Sequence, residues 1–296
     1  QSSPKRKGIG AAIYAFGAPH TMGQGPRRIP RPLAVKRQAD GRVVIRTNIV
    51  ELGQGIETAF KKIAGKVLGV PYDQIEMPRP DSKRNPPTLG TGASLSIVLF
   101  GKSLERAARR LKQRWDEPGE IEEVEDFIEP DYLEWNEEAL SGDSFHTYSW
   151  GGVVVEVEAD ALTGQVEVKG VWSSHDIGTP IDQTLARGQV DGAVAQGIGM
   201  GLMENLSSRD GRLMQTSLAD YIIPTAADLP SLGHEFVEGY YQDGPFGAKS
   251  VGEMPIVGGA PALAAAINHA LGVEVARIPA TPEYLVELLE RGEDAA

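Results

Sequence analysis

Glycine-bearing polar loops are the feature that most restricts how this chain can fold. The 296 residues include 35 glycines, and many of them lie in polar stretches that separate apolar segments. Four such loops stand out, at 51–55 (ELGQG), 91–96 (TGASLS), 187–192 (RGQVDG) and 247–253 (GAKSVGE). Because glycine permits tight turns and close backbone approach, the pattern predicts an ordered fold in which shaped turns join strands to helices.

The segments between these loops show both strand and helix periodicity. Residues 42–50 are rich in β-branched side chains, which is typical of a strand. Valine alternates with polar residues over 152–158 and the pattern resumes after a turn at 160–164, which predicts a β-hairpin. Helical spacing predicts helices at 57–68, 93–115, 188–202, 260–271 and 281–291, the last two with Pro261 and Pro282 at the first helical position. Strands and helices mix without a regular βαβ period, which favours the α+β class.

Charge divides the chain into two parts. Residues 116–143 contain thirteen Asp or Glu and no Lys or Arg. Such a run is usually a solvated face or a linker, although several large apolar side chains within it predict some order. We therefore predict a first lobe at 1–115, an acidic connection at 116–143 and a second lobe at 144–296.

Composition excludes several classes of protein. The net charge of −12 argues against a nucleic-acid partner. The absence of cysteine excludes a disulfide framework, a thiolate zinc site and an iron–sulfur cluster held by this chain. The longest apolar stretch, 256–267, is too short and too rich in Gly and Pro to span a bilayer. We therefore expect no membrane partner. The five histidines include no pair at helical spacing, so we also expect no metal bound by protein side chains.

Each loop by itself allows a structural and a functional interpretation. The 51–55 turn either only joins a strand to a helix or seats an anion on its backbone N–H groups. The 91–96 loop is either a helix N-cap or a small-residue approach to a phosphate-bearing ligand. Each glycine within 188–202 costs a helix about 1 kcal/mol, which indicates close packing on a neighbour or contact with a ligand. Glu253 is either a surface residue or a partly desolvated general base.

Taken in order, the blocks ELGQGIET, TGASLS, DIGTPIDQ, GQVDGAVAQGIG, GAKSVGEMP and PATPEYL resemble the molybdenum hydroxylases of the xanthine dehydrogenase/aldehyde oxidase family. The resemblance covers nearly the whole chain. The matching blocks belong to the C-terminal half of the family's molybdopterin-binding subunit. In nicotinate dehydrogenase-type members this subunit is divided between two polypeptides. The resemblance implies two mixed α/β lobes of the molybdopterin-binding type and leads us to expect a split, C-terminal subunit.

The resemblance also implies roles for individual residues. Glu253 matches the active-site glutamate of the family and would act as the general base. His20 and Thr21 match a pair that lines the substrate pocket, and the histidine replaces an aromatic residue of purine-oxidising members, which indicates another substrate. The residues that match cofactor-binding positions are Gly53, Gln54, Gly55, Gly92, Ala93, Ser94, Ser96, Gln189, Val251 and Gly252.

The implied cofactor is molybdenum–molybdopterin, shared with a partner chain, and the cytosine dinucleotide is one candidate form. The implied partners are the N-terminal-half molybdopterin subunit, a 2Fe-2S subunit and an FAD subunit. We expect a cytoplasmic hetero-oligomer that uses oxygen from water to hydroxylate an electron-poor carbon of a small N-heteroaromatic molecule, such as a purine or a nicotinate-like compound. Aldehyde or carbon monoxide oxidation and a non-catalytic scaffold role stay open as alternatives.

Overall fold

Two four-stranded sheets, each packed against helices, form the framework of the protein. The computed structural model describes residues 4–21, 28–85, 88, 90–237 and 239–293. The strands are β1 (Lys5–Gly17), β2 (Arg28–Arg37), β3 (Val43–Thr47), β4 (Ile75–Glu76), β5 (Ile121–Ile128), β6 (Trp135–Asn136), β7 (Ser141–Gly142), β8 (Tyr148–Asp160), β9 (Val166–Asp176), β10 (Ser208–Arg209), β11 (Arg212–Leu213) and β12 (Leu232–Val237). The helices are α1 (Ile56–Leu68), α2 (Lys102–Gln113), α3 (Gln183–Leu202), α4 (Ile256–Leu271) and α5 (Pro282–Glu293), with 3-10 turns at Tyr72–Gln74 and Pro245–Gly247 and a π-helical segment at Ile97–Gly101. This mixture confirms the α+β class.

The first sheet has the strand order β4-β3-β2-β5 and packs against α1 and α2. Its β2 strand pairs antiparallel with β3 and β5, whereas β3 and β4 are parallel. Phe60 of α1 and Leu104 of α2 are fully buried in the core beneath the sheet. The first helix ends as predicted, since Gly69 has a left-handed φ of 79° and its N–H donates to the Gly65 carbonyl.

The second sheet has the order β1-β8-β9-β12 and packs against α4, which in turn packs on α3. The predicted hairpin is confirmed as β8 and β9, and β12 joins β9 in parallel. Glycines permit the closest contacts: a Cβ on Gly10 would lie 2.2 Å from the Ala262 carbonyl oxygen, and one on Gly197 would lie 3.0 Å from Gly259 Cα. Close helix packing is therefore one reason for the glycines of α3.

The predicted lobe boundaries do not follow the sheets. β1, predicted within the first lobe at 1–115, pairs with β8 along its whole length and so belongs to the second sheet. The acidic segment 116–143 is not only a connection, because it supplies β5 to the first sheet. Arg110 of α2 and Arg114, the residue that follows α2, pair with Glu123 at 3.1 Å and 2.6 Å, so basic side chains from the first lobe balance part of the acidic run.

Three predicted helix starts also require correction. The helix expected from residue 188 begins at Gln183, so the predicted glycine loop 187–192 is helical. The helix expected from residue 93 begins at Ile97, because Ala93 and Ser94 have left-handed φ values of 48° and 53°. The helix expected from residue 260 begins at Ile256, which puts Pro261 inside the helix, whereas α5 begins at Pro282 as predicted. Over the residues that the structure describes, no helix is both long enough and apolar enough to cross a membrane.

Candidate functional site

Three of the predicted glycine-bearing loops meet at one cavity of about 270 Å³, and the remaining predicted segment, 187–192, lies within α3 and lines the cavity through Gln189. Its wall combines residues 52–59 and 91–97 from the side of the first sheet with 177–189 and 248–253 from the side of the second. The predicted site residues that line it are Gln54, Gly55, Gly92, Ala93, Ser94, Ser96, Gln189, Val251, Gly252 and Glu253. Gly53, His20 and Thr21 are not among its lining residues.

Glu51 occupies the anion seat that the sequence predicts at the start of α1. Its carboxylate accepts hydrogen bonds from the backbone N–H groups of Gly53 (2.8 Å), Gly55 (2.9 Å) and Glu57 (3.1 Å). Burial favours a higher pKa, but the hydrogen bonds from the backbone outweigh burial and hold the pKa of Glu51 below its ordinary value. These N–H groups are therefore taken by the chain's own carboxylate, and the expected free anion seat is not found here.

The Gln54 side chain is also held within its own loop. Its Oε1 accepts a hydrogen bond from the Leu52 backbone N–H at 2.5 Å, and its Nε2 donates to the Val50 carbonyl at 3.0 Å. A primary amide has two N–H groups and two oxygen lone pairs. Each end of the amide thus keeps capacity for a ligand in the cavity.

Ser94 connects the second loop to Glu253. Its Oγ accepts a hydrogen bond from the Glu253 backbone N–H at 2.9 Å and donates to Glu253 Oε2 at 3.1 Å. The left-handed backbone of Ala93 and Ser94 is uncommon for residues with a Cβ, and such conformations cluster at functional sites. The bend brings the Ser94 hydroxyl to the carboxylate.

The start of α3 forms the opposite wall. Asp182 caps the helix by accepting the Leu185 N–H at 2.9 Å, and it pairs with Lys62 of α1. The Lys62 ammonium group and the Leu185 N–H lower the pKa of Asp182. Further along α3, Gln189 approaches the fourth loop: a Cβ on Gly252 would lie 3.6 Å from Gln189 Oε1. Glycine at 252 therefore lets the two walls come together.

The fourth loop contains a buried hydroxyl that the sequence analysis did not select. Ser250 is 2% exposed, lines the cavity, and its Oγ has no hydrogen-bond partner among the described residues. The loop itself is fixed, because the Ser250 carbonyl accepts from Ser149 Oγ at 2.7 Å and Lys249 Nζ donates to Asp176 Oδ2 at 2.6 Å. A serine in a glycine-rich loop has no chemical signature in the sequence until its burial is known.

Glu253 is exposed at the cavity edge. The expectation of a partly desolvated carboxylate is therefore wrong for this chain taken by itself. The physical reason is that the described part of the chain provides Ser94 as the hydrogen-bond partner of this carboxylate and does not cover it.

His20 and Thr21 lie apart from the cavity wall, beside the segment that precedes β8. His20 is exposed and forms an isolated antiparallel bridge with Phe145. Thr21 is buried, its N–H donates to the Ser144 carbonyl at 2.8 Å, and its hydroxyl donates to the Asp143 carbonyl. The predicted contact of these residues with substrate stays a prediction.

The residues of the cavity fit an organic cofactor better than a protein-bound metal. Within the described ranges, no group of three or more His, Cys, Asp or Glu side chains could hold a metal ion. Small residues such as Gly55, Gly92 and Gly252 leave backbone accessible, and the unpartnered Ser250 Oγ requires a polar group. The volume is slightly below the usual range of about 300–1,000 Å³ for small-molecule pockets. The described lining therefore offers small residues and a few hydrogen-bonding groups to an organic molecule, and no ligand set for a metal ion.

Comparison with known proteins agrees with this geometry. The molybdopterin cofactor-binding domain family matches residues 1–129 and 116–230. The gamma subunit of the 6-hydroxypseudooxynicotine dehydrogenase complex of Paenarthrobacter nicotinovorans is 31% identical over 83% of this chain and 36% of its own length. The nicotine 6-hydroxylase large subunit of the same organism is 30% identical over 85% of this chain and 36% of its own length.

The fold is also found in a solved enzyme. The structure of aldehyde oxidoreductase from Desulfovibrio gigas superimposes with a TM-score of 0.86 at 27% identity, over 98% of this chain and 33% of that one. This chain therefore spans about a third of the length of the relatives that it matches. From the matched residues and the shared fold, the chain belongs to the molybdopterin cofactor-binding domain family of the xanthine dehydrogenase/aldehyde oxidase type.

Proposed function

We propose that this chain forms one wall of a molybdenum–molybdopterin site in a multi-subunit hydroxylase, which oxidises an electron-poor carbon of a small N-heteroaromatic molecule with oxygen from water. The observation that carries the proposal is the convergence of three loops and the start of α3, all separate in sequence, on one cavity with Glu253 at its edge. Family membership supports the cofactor, and similarity to a nicotine 6-hydroxylase subunit supports the substrate class.

The chain's own residues divide the work of this site. Gln54, Gln189 and Ser250 are proposed to hydrogen-bond the cofactor, and the glycines to let it approach the backbone; their position in the cavity wall supports this. When bound, the molybdenum centre supplies the two-electron oxidation. His20 and Thr21 are proposed as substrate contacts on the strength of the sequence resemblance.

Glu253 is the better general base of the two carboxylates that line the described cavity. Asp182 is paired with Lys62 and caps α3, which lowers its pKa and makes it a poor proton acceptor. Glu253 Oε2 accepts a hydrogen bond from the Ser94 hydroxyl. This contact orients the carboxylate group and therefore also its other oxygen, Oε1. Glu253 is therefore proposed to take the proton from the attacking water.

Replacing the glutamate by its amide tests this role. In the assembled complex, Glu253→Gln is expected to lower kcat by about 10²–10⁴, because a general base contributes that much, while molybdenum content stays unchanged. Glu235→Gln, an exposed carboxylate of β12 outside the cavity wall, is the matched control. A Glu253→Gln enzyme that keeps more than about a tenth of its activity would reject the role.

The rest of the site is proposed to lie outside this chain. The chain spans about a third of its relatives' length, and the exposed Glu253 needs a covering surface. The proposed partners are the N-terminal-half molybdopterin subunit, a 2Fe-2S subunit and an FAD subunit, in a cytoplasmic complex with the cytosine dinucleotide form of the cofactor. Subunit, molybdenum, iron, flavin and nucleotide analysis of the complex purified from its source tests each part. An isolated chain with stoichiometric molybdopterin would contradict the shared site.

Aldehyde oxidation is the second candidate function, because an aldehyde oxidoreductase shares the fold over nearly the whole chain. Turnover of the purified complex should be compared on a nicotinate-like heteroarene, a purine and an aromatic aldehyde with one electron-accepting dye. A higher kcat/KM for the aldehyde would replace the heteroaromatic proposal, and a complex without molybdenum would favour the scaffold role.

A further inference from the structure

The outer side of the second sheet presents an apolar surface. The register places Ala11 opposite Val154 and Ala15 opposite Trp150, and Val154 lies opposite Trp172. We define the outer apolar face by its exposed residues Ile9, Ala11, Ile13, Ala15, Trp150, Val154 and Trp172. The two tryptophans are about half exposed, at 54% and 50%, and Ile13 is 86% exposed.

The first strand shows that this face is unsuited to water. A sheet with one solvated face normally places apolar residues inward and polar residues outward. β1 does the reverse near its middle: Gly8 and Gly10 are buried against α4, while Ile9 and Ile13 point outward. From Gly8 to Ile13 the larger apolar side chains therefore lie on the side that the described chain leaves exposed, whereas Tyr14 and Phe16 further along β1 lie on the inner side.

The size of the face indicates a contact that extends further. Three strands with the usual spacing and seven residues of β1 give about 14 Å by about 20 Å, or roughly 300 Å². Exposed apolar patches of this size are often functional. A stable protein contact buries about 800 Å² on each partner. A partner of this face must therefore also cover adjoining surface.

One end of the outer apolar face, at Trp150, lies beside the loop that lines the cavity. Next to Trp150, the Ser149 hydroxyl donates to the carbonyl of Ser250 at 2.7 Å, and the Tyr148 carbonyl accepts from Lys249 Nζ at 3.2 Å. Ser250 and Lys249 both line the cavity. The strand end that carries Trp150 is thus bonded to the cavity loop, through the buried Ser149 on the inner side of the sheet and through the Tyr148 carbonyl.

We infer that the outer apolar face binds the part of the molybdopterin-binding subunit that the relatives contain and this chain lacks. That part amounts to about two thirds of the relatives' length, and it is the part that the proposed function requires at the cavity. One continuous contact then covers the tryptophans and closes the site over Glu253. The identity of the occupant rests on the proposed function.

Site-specific photo-crosslinking tests the inference without disturbing the fold. The photo-crosslinking residue p-benzoylphenylalanine is placed at Ile13, which is 86% exposed, in the full complex within its source cells. The matched control position is Leu162, which is 76% exposed at the tip of the β8–β9 hairpin. Irradiation from Ile13 is expected to yield peptides of the remaining part of the molybdopterin subunit, and irradiation from Leu162 few or none.

Other products would overturn the inference. Crosslinks from Ile13 only to a second copy of this chain, only to an iron–sulfur or flavin subunit, or to nothing would each exclude the proposed occupant, as would equal crosslinking from Leu162. Molybdenum content of the same preparation tests the proposed function separately. A molybdenum-free complex with the expected Ile13 crosslink would keep the contact and reject the cofactor role.

Discussion

Replacing Ser94 by alanine tests whether the second loop acts through Glu253. The substitution removes both Oγ hydrogen bonds, 2.9 Å from the Glu253 backbone N–H and 3.1 Å to Glu253 Oε2. A hydrogen bond to a charged group contributes about 1.5–3 kcal/mol. Because Glu253 is exposed, we expect a loss at the lower end, about 1.5 kcal/mol, which corresponds to a roughly tenfold lower kcat.

The assay compares Ser94→Ala, Glu253→Gln and the double variant in the assembled complex. Since Ser94 is expected to act by positioning the carboxylate, Ser94→Ala should lower kcat with little change in KM or molybdenum content. In the Glu253→Gln background it should cause no further loss, because coupled residues are not additive. A fall in molybdenum content parallel to kcat would instead show that Ser94 holds the cofactor. Equal losses in both backgrounds would refute the coupling.

Three further substitutions test the packing and electrostatics, each by the thermal midpoint of the assembled protein. Glu51→Gln should lower the free energy of unfolding by about 1 kcal/mol at neutral pH, because the carboxylate caps α1. Since folding lowers the pKa of Glu51, this contribution is present above pH about 4.5 and is lost as the pH falls below that value. Equal midpoints for wild type and variant at pH 7 would contradict the capping role. Burial lowers the pKa of His175 to about 4 in the folded protein. As the pH falls from 6.5 towards 4, the unfolded chain therefore takes up a proton that the folded protein does not, and the free energy of unfolding falls by about 3 kcal/mol. His175→Gln should flatten this pH dependence. Gly10→Ala puts a Cβ 2.2 Å from the Ala262 carbonyl oxygen and should cost about 1–3 kcal/mol, whereas Gly152→Ala, with its nearest contact at 4.0 Å, should be nearly neutral; equal effects would refute the packing argument.

The elements that sequence predicts well are those whose signal is local. The β8–β9 hairpin follows from alternating valines, and the end of α1 follows from Gly69. β1 could not be placed in this way, because Gly8 and Gly10 accommodate α4 on its inner side while isoleucines lie on its outer side. Its partner strand is also more than a hundred residues away, so neither periodicity nor proximity assigns it to the second sheet.

The candidate site divides in the same way. The family resemblance, carried by the order of the glycine-bearing blocks, implies most of the residues that gather at the cavity, whereas each block by itself leaves a structural interpretation open. The contacts of Ser94 and Ser250 depend on where separate segments meet, whereas those of Glu51 are local but follow from the exact shape of its turn. No spacing rule states that Glu51 fills its own helix terminus or that the Ser250 hydroxyl is buried without a partner.

The chain's own acidic groups determine how an anionic cofactor can be held. Glu51 at the start of α1 and Asp182 at the start of α3 occupy two of the helix N-termini that border the cavity, so the positive ends of these two helix dipoles are already compensated. Lys249, the cation in the described cavity wall, is paired with Asp176 at 2.6 Å. With a net charge of −12, the chain by itself disfavours a phosphate-bearing molecule. The described cavity wall therefore offers small residues and the Glu253 carboxylate, and under the proposed function the positive charge that binds the cofactor comes from outside this wall.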